Sequence, residues 1–171
     1  MKSRLVASVV IGVAVVLGAS GCAMLSPQAT TIPYSPGDGI NVNENGAPLL
    51  IRNALVVADQ DGTTGNLVAA VINATGDAQT LTIQVGDGSS SVTKTLDVDA
   101  NTVSSLGENV DPIRLDGIDA KPGSTLSISF QSGDSTPVVA DVPVLNNDEK
   151  YYDGLVPSPS ASSESSPSPT P

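Results

Sequence analysis

Thr80-Leu81-Thr82-Ile83-Gln84-Val85, interrupted by Gly86-Asp87-Gly88 and answered by Val92-Thr93-Lys94-Thr95-Leu96-Asp97-Val98, is the stretch on which the fold turns. Leu81, Ile83 and Val85 alternate with Thr80, Thr82 and Gln84, and Val92, Leu96 and Val98 with Thr93, Thr95 and Asp97. A period of two puts the apolar side chains on one face, so both segments read as half-buried strands. Leu126, Ile128 and Phe130 against Ser127, Ser129 and Gln131 repeat the pattern. Gly86-Asp87-Gly88 lacks the Lys and following helix of a phosphate cradle, and reads as a turn.

Working outward, the continuous runs Leu55-Val56-Val57 and Leu67 to Ile72 suit central strands, covered on both sides. Val138, Ala140, Val142 and Val144 share one face of a last strand, which Pro143 marks as an edge because it has no N–H for a ladder. Turn residues recur at Asp61-Gly62, Asn73 to Asp77, Asp99 to Asn101, Asp116-Gly117, Lys121-Pro122-Gly123 and Gly133-Asp134. No segment has a helical period and no internal repeat survives comparison. The expected fold is all-β: a single immunoglobulin-like or cupredoxin-like β-sandwich of 7–8 strands spanning residues 48–147. With one Phe and no Trp in 171 residues, aliphatic side chains must fill the core. Leu55, Val57, Val68, Val71, Leu81, Ile83, Leu96, Val98, Leu126, Ile128, Phe130 and Val142 are the expected contributors.

The flanks differ in composition. Residues 1–21 begin with Lys2 and Arg4 and continue as an uncharged apolar run, Leu5 to Leu17, which is short for a membrane span and has the form of an export signal. The following Ala19-Ser20-Gly21-Cys22 resembles the lipobox of bacterial lipoproteins, with Ala19 where Leu is commonest. That resemblance implies cleavage before Cys22 and lipid on its sulfur; two acyl chains are what stable anchoring requires. The other reading is a secreted protein with Cys22 as a leftover thiol. No twin-arginine pair is present. Residues 22–47 form an expected flexible tether, interrupted by Pro27, Pro33, Pro36, Gly37, Gly39 and Gly46, with Tyr34 and the Ile40/Val42 pair able to dock on the domain edge. Residues 148–171 comprise an acidic, Tyr-containing segment followed by a Ser/Pro-rich tail expected to be disordered and, if exported from an actinobacterium, a candidate for O-mannosylation at Thr170 and its serines.

Charge and composition bound the function. Seven basic and 18 acidic residues give a formal charge of -11. Losing Lys2 and Arg4 with the signal leaves 5 basic residues against 18 acidic, or -13. Phosphate backbones would be repelled, so nucleic acid is not an expected partner. The chain has no His and one Cys, which removes the usual zinc and haem donors and the imidazole of acyl-transfer triads. Paired acids at Asp59/Asp61, Asp97/Asp99, Asp116/Asp119 and Asp148/Glu149 fall at turns, where Asp is favoured by its side-chain-to-backbone hydrogen bonds. No catalytic residue and no cofactor are assigned. Asp59-Gln60-Asp61-Gly62-Thr63 looks like the start of a calcium loop, but its twelfth position is Ala70 and not a bidentate Glu. Asp59 and Asp61 therefore stand as weak calcium candidates beside the reading of a hairpin turn. Asn73-Ala74-Thr75 matches a glycosylation sequon and reads more simply as a turn. Tyr151-Tyr152 holds two of the four aromatics, and reads either as an interface anchor or as a ring packed over the open end of the sandwich.

Taken together, signal, lipobox, tether, β-domain and tail resemble a small actinobacterial envelope lipoprotein. Ile51-Arg52-Asn53-Ala54-Leu55-Val56-Val57 and Leu67-Val68-Ala69-Ala70-Val71-Ile72-Asn73-Ala74-Thr75-Gly76-Asp77 are similar to lipoproteins distantly related to copper chaperones of the PCuAC type. The resemblance covers about residues 48–145 and implies a cupredoxin-like sandwich. The Met and His ligands of that family do not carry over, since the chain has no His and its mature part only Met24. The expected function is a non-enzymatic binding module on the outer face of the cell membrane, held there by lipid on Cys22, with an envelope protein or wall polymer as partner. The alternative is extracytoplasmic metal handling, as a divergent copper-associated lipoprotein or a weak calcium binder.

Overall fold

The computed structural model describes residues 37–42, 46–86 and 91–157. The signal, Cys22, Met24, Tyr34, most of the tether, Asp87-Gly88 and the Ser/Pro tail lie outside them. The described part is all-β, with eight strands: β1 Leu49–Ala58, β2 Thr64–Asn73, β3 Gln79–Val85, β4 Val92–Val98, β5 Thr102–Leu106, β6 Ile113–Asp116, β7 Thr125–Ser132 and β8 Val138–Leu145. A single 3-10 turn, Lys150–Tyr152, is the regular helix among these residues.

Hydrogen bonds run through the strands in the order β4-β3-β7-β8-β1-β2-β5, with β6 also on β2. Strands β5 and β6 share one side of β2: β5 pairs Ala69 to Asn73, and β6 pairs Thr64 to Leu67. Every pairing is antiparallel except β1 with β8. The path curls until β4 approaches β2, β5 and β6, a nearly closed barrel that can equally be described as a sandwich. Strands β5 and β6 carry little apolar alternation, and only their place beside β2 explains them.

Strand β8 is not an edge in this order. Val138 to Pro143 pair with β7, and Val144 and Leu145 pair with β1, so β8 joins the two halves of the sheet. Pro143 is accommodated because Val144 donates its N–H to Ser124 on the β7 side. Neighbouring strand residues point their amides in opposite directions, so the Pro143 nitrogen faces away from β7, at the point where pairing with β1 has yet to begin.

Two apolar clusters replace the single core expected. The main one contains Val71, Leu81, Ile83, Val98, Leu126, Ile128, Phe130 and Val142, joined by Val56, Leu67, Leu106, Leu115 and Val144. Leu96 is only half-buried against it. Leu55 and Val57 point the other way, because Val56 takes the inward position and alternation sends its neighbours outward. They form a second cluster with Tyr152, packed by Val68, Leu145, Leu155 and Val156. Packing thus extends beyond residue 147, onto the outer face of β1.

It also extends before residue 48. Register along β1 shifts between Arg52 and Leu55, where Asn53 sits in the left-handed region at φ 50°. This is a bulge, and Asn is among the residues that tolerate that conformation. β8 pairs with β1 only at Val56 and Val57, so the same flank of β1 before Val56 is open to another segment. Ile40 and Ala54 exchange backbone hydrogen bonds there, at 2.9 and 2.8 Å, and Val42 donates to Ile51. Ile40 and Val42 therefore dock on the domain edge, with Val42 buried.

Candidate functional site

Three side chains from opposite ends of the described chain meet beside this docked segment. Tyr151 and Tyr152 each donate a phenolic hydrogen bond of 2.8 Å to the same oxygen, Oδ2 of Asp38. Their rings make an edge-to-face pair with centroids 4.3 Å apart and planes at 62°. Tyr152 is 7% exposed, because its ring covers Leu55 and Val57; Tyr151 is 62% exposed. The adjacent tyrosines thus divide the work between packing and surface. The buried ring lies over the outer face of β1, not the open end of the sandwich.

The short 3-10 turn places both rings. It closes with Tyr152 N–H to Glu149 and Leu155 N–H to Tyr152, and Leu155 O accepts from the Asn66 side chain at 2.9 Å. Asp38 is held by its neighbours: Gly39 donates its N–H to Asn53 Oδ1 at 2.9 Å, and Asn53 N–H donates to Asn41 Oδ1. A Cβ on Gly39 would lie 2.5 Å from the Asn53 carbonyl carbon, so only glycine permits this approach. The bulge at Asn53 therefore sets the position of Asp38.

The electrostatics follow from that geometry. The phenol of Tyr152, then that of Tyr151, hold the Asp38 carboxyl below the usual carboxylate range. Burial and then the bond to Asp38 push Tyr152 up, and the bond to Asp38 chiefly raises Tyr151. The cluster is one anion bound by two neutral phenols near neutral pH. Tyr151 lines two hollows. One, of about 230 Å³, is lined by Asp38, Leu145, Asn146, Glu149 and both tyrosines. The other, of about 260 Å³, runs between Tyr151, Glu108, Asn53 and Leu155.

The other singled-out residues lie elsewhere. Asp59 Oδ1 accepts from Thr63 N at 2.9 Å and Thr64 N at 3.4 Å, and Oδ2 from the Thr63 hydroxyl at 2.9 Å, closing the hairpin between β1 and β2. Burial raises its carboxyl, but these bonds outweigh burial and the net displacement is downward. Asp61 is exposed in the same turn. Among the described residues, no three or more His, Cys, Asp or Glu are grouped to hold a metal. Asp97 accepts from Thr80, Asp116 pairs with Arg114, and Asp148 bonds Asn146. Asn73, the sequon residue, is 1% exposed; its amide donates to the carbonyls of Asp77, Val98 and Asp99, and its Oδ1 accepts from Thr75.

The two tyrosines stand out in the sequence but Asp38 does not, since its only local signal is Gly37-Asp38-Gly39 in the expected tether. No family model matches the chain, and no curated protein matches it. Among solved structures it is similar to the apo PCuAC domain of PmoF2, with 14% identity, 63% of this chain and 94% of that chain covered, and a TM-score of 0.47. It is also similar to the copper-bound PCuAC domain from PmoF2, with 12% identity, 63% and 97% covered, and a TM-score of 0.46. Both are domains of the type that residues 48–145 distantly resemble.

Proposed function

We propose that this chain is a non-enzymatic binding module, held on the outer face of the cell membrane by lipid on Cys22, and that it engages an envelope protein or wall polymer through the Tyr151, Tyr152 and Asp38 face. The observation that carries the reading is an exposed Tyr151 whose hydroxyl is tied to Asp38 and whose side chain lines two hollows. A large amphipathic side chain already held in place loses little rotamer freedom when a partner covers it, which favours binding over disorder at the surface. The basic start, apolar run and Cys22 support the anchor.

Metal handling has less support. Copper chemistry of the thioether and imidazole kind lacks donors in a chain with no His and a single mature Met. The carboxylate of Asp59 is engaged in its own turn.

The test is capture of isolated wall material and of solubilised envelope proteins by the full chain in detergent, beside Tyr151→Ala. Specific capture that disappears in the variant supports the reading. Capture unchanged by the variant moves the binding face elsewhere, and absence of any capture by the unaltered chain overturns the module itself.

A further inference from the structure

The hollow beside Asp38 and Glu149 has a shape, a charge and a wall chemistry that together select one class of ligand. Its volume of about 230 Å³ suits a side-chain-sized group. Both phenols donate to Oδ2 of Asp38, so Oδ1 is used by neither, and Asp38 lines the hollow. Glu149 brings a second carboxylate, and among the described residues neither acid is in a salt bridge. Lys150 follows Glu149 in the chain but is not among the residues lining the hollow. Asn146 is occupied with Asp148, its amide donating at 2.8 Å and its oxygen accepting at 3.2 Å. The remaining wall is Leu145 and the two rings, apolar surface against which a methylene stem can lie.

We propose that this hollow binds a primary alkylammonium group. The ammonium donates to Asp38 Oδ1 and to the Glu149 carboxylate, lies against the tyrosine rings, and rests its stem on Leu145. Three features favour a cation over a neutral sugar: two carboxylates on one hollow, the tyrosine π-faces that attract positive charge, and the excess of acid over base in the chain. A sugar would gain the stacking surface but would have to face two anions that it does not neutralise. The proposal rests on the binding-module reading and names the chemistry that one of its hollows accepts.

The experiment is a titration of the full chain in detergent micelles, followed by the NMR ring signals of its tyrosines. Only Tyr34, Tyr151 and Tyr152 contribute, so the spectrum is simple. The probes are butylammonium chloride, with butanol and N-acetylglucosamine as neutral controls at constant ionic strength, and a short acetylated peptide bearing one lysine. The expected result is a saturable shift of the Tyr151 and Tyr152 signals by butylammonium alone among the first three. Because the acids are exposed, Glu149→Gln should weaken binding about threefold, and Glu149→Gln with Asp38→Asn about tenfold. Tighter binding of the lysine peptide identifies a polypeptide source, and equal binding identifies a free amine. Shifts by butanol equal to those by butylammonium, an affinity unchanged in Glu149→Gln, or a response to N-acetylglucosamine alone each overturn the proposal. Failure here with intact Tyr151-dependent capture of an envelope component discards only the ligand class. An ammonium response without any capture discards only the envelope role.

Discussion

The hydroxyl of Tyr152 donates to Oδ2 of Asp38, 114 positions earlier in the chain, at 2.8 Å. This bond joins the segment that enters the barrel to the one that leaves it. Tyr152 is anchored by its ring over Leu55 and Val57, so Asp38 is in effect fastened to the outer cluster. The ring and the hydroxyl therefore have separable roles.

Replacing Tyr152 by Phe keeps the packing and removes the donor, leaving Asp38 with the Tyr151 phenol and water. Such a change should cost about 1 kcal/mol, whereas Tyr152→Ala opens the outer cluster and should cost about 3–5 kcal/mol. Urea unfolding of both variants against the unaltered chain measures the difference; equal losses would show that the ring contributes no more than the hydroxyl.

Stability should fall at both pH extremes, for opposite reasons. The Asp38 carboxyl lies below its ordinary 3.8 when folded, so its contribution is complete above that value and declines as pH drops through the folded value. Tyr152 lies above its ordinary 10 when folded, so its contribution is complete below pH 10 and declines as pH climbs from there through the folded value. Urea midpoints across pH should show a shallower acid limb in Asp38→Asn, with the remainder carried partly by Asp59, and a shallower alkaline limb in Tyr152→Phe.

Gly39→Ala should release the docked segment while leaving the barrel folded. Its methyl would sit 2.5 Å from the Asn53 carbonyl carbon and 2.6 Å from the Ala54 oxygen, both backbone atoms that cannot swing aside. The expected loss is about 1–3 kcal/mol, with faster hydrogen exchange at Ile40 and Ala54 but not in β3 or β7. Unchanged protection at Ile40 would mean that the segment accommodates the methyl.

Asn73→Ala should be among the most damaging polar substitutions. The side chain ties the end of β2 to the Asp77 carbonyl and to the Val98 and Asp99 carbonyls at the end of β4, and accepts from Thr75. Each buried carbonyl left without a donor costs about 1–3 kcal/mol. Thermal unfolding should move down by well over the shift seen for an exposed control such as Thr93→Ala. The same burial means that a glycan on Asn73 is incompatible with the folded barrel.

Periodicity made most of the barrel legible. In β3, Leu81, Ile83 and Val85 are buried and Thr80, Thr82 and Gln84 are not, and β7 repeats this with Leu126, Ile128 and Phe130. Two short strands, β5 and β6, gave little warning, because Thr102-Val103-Ser104-Ser105 and Ile113-Arg114 gain their pairing from β2 and not from an apolar face of their own. The candidate site was half legible: paired aromatics in an aromatic-poor chain drew notice, but one aspartate among 18 acidic residues could not.

By itself, the sequence determined the local alternatives: which residues alternate, where glycine and asparagine permit turns, and that small aliphatic side chains must fill the interior. These are set by steric and solvation preferences acting over a few residues. Tertiary structure alone decided that β8 joins two halves of the sheet despite Pro143, that Leu55 and Val57 face a second cluster, and that Asp38 meets Tyr151 and Tyr152. Those outcomes depend on which faces remain uncovered once strands far apart in the chain have paired. Tyr152 lies over Leu55 and Val57 because β1 is covered by the main core on its other face, and Asp38 reaches it because Ile40 and Val42 pair with β1 where β8 does not, and Gly39 is bonded to Asn53 in the bulge.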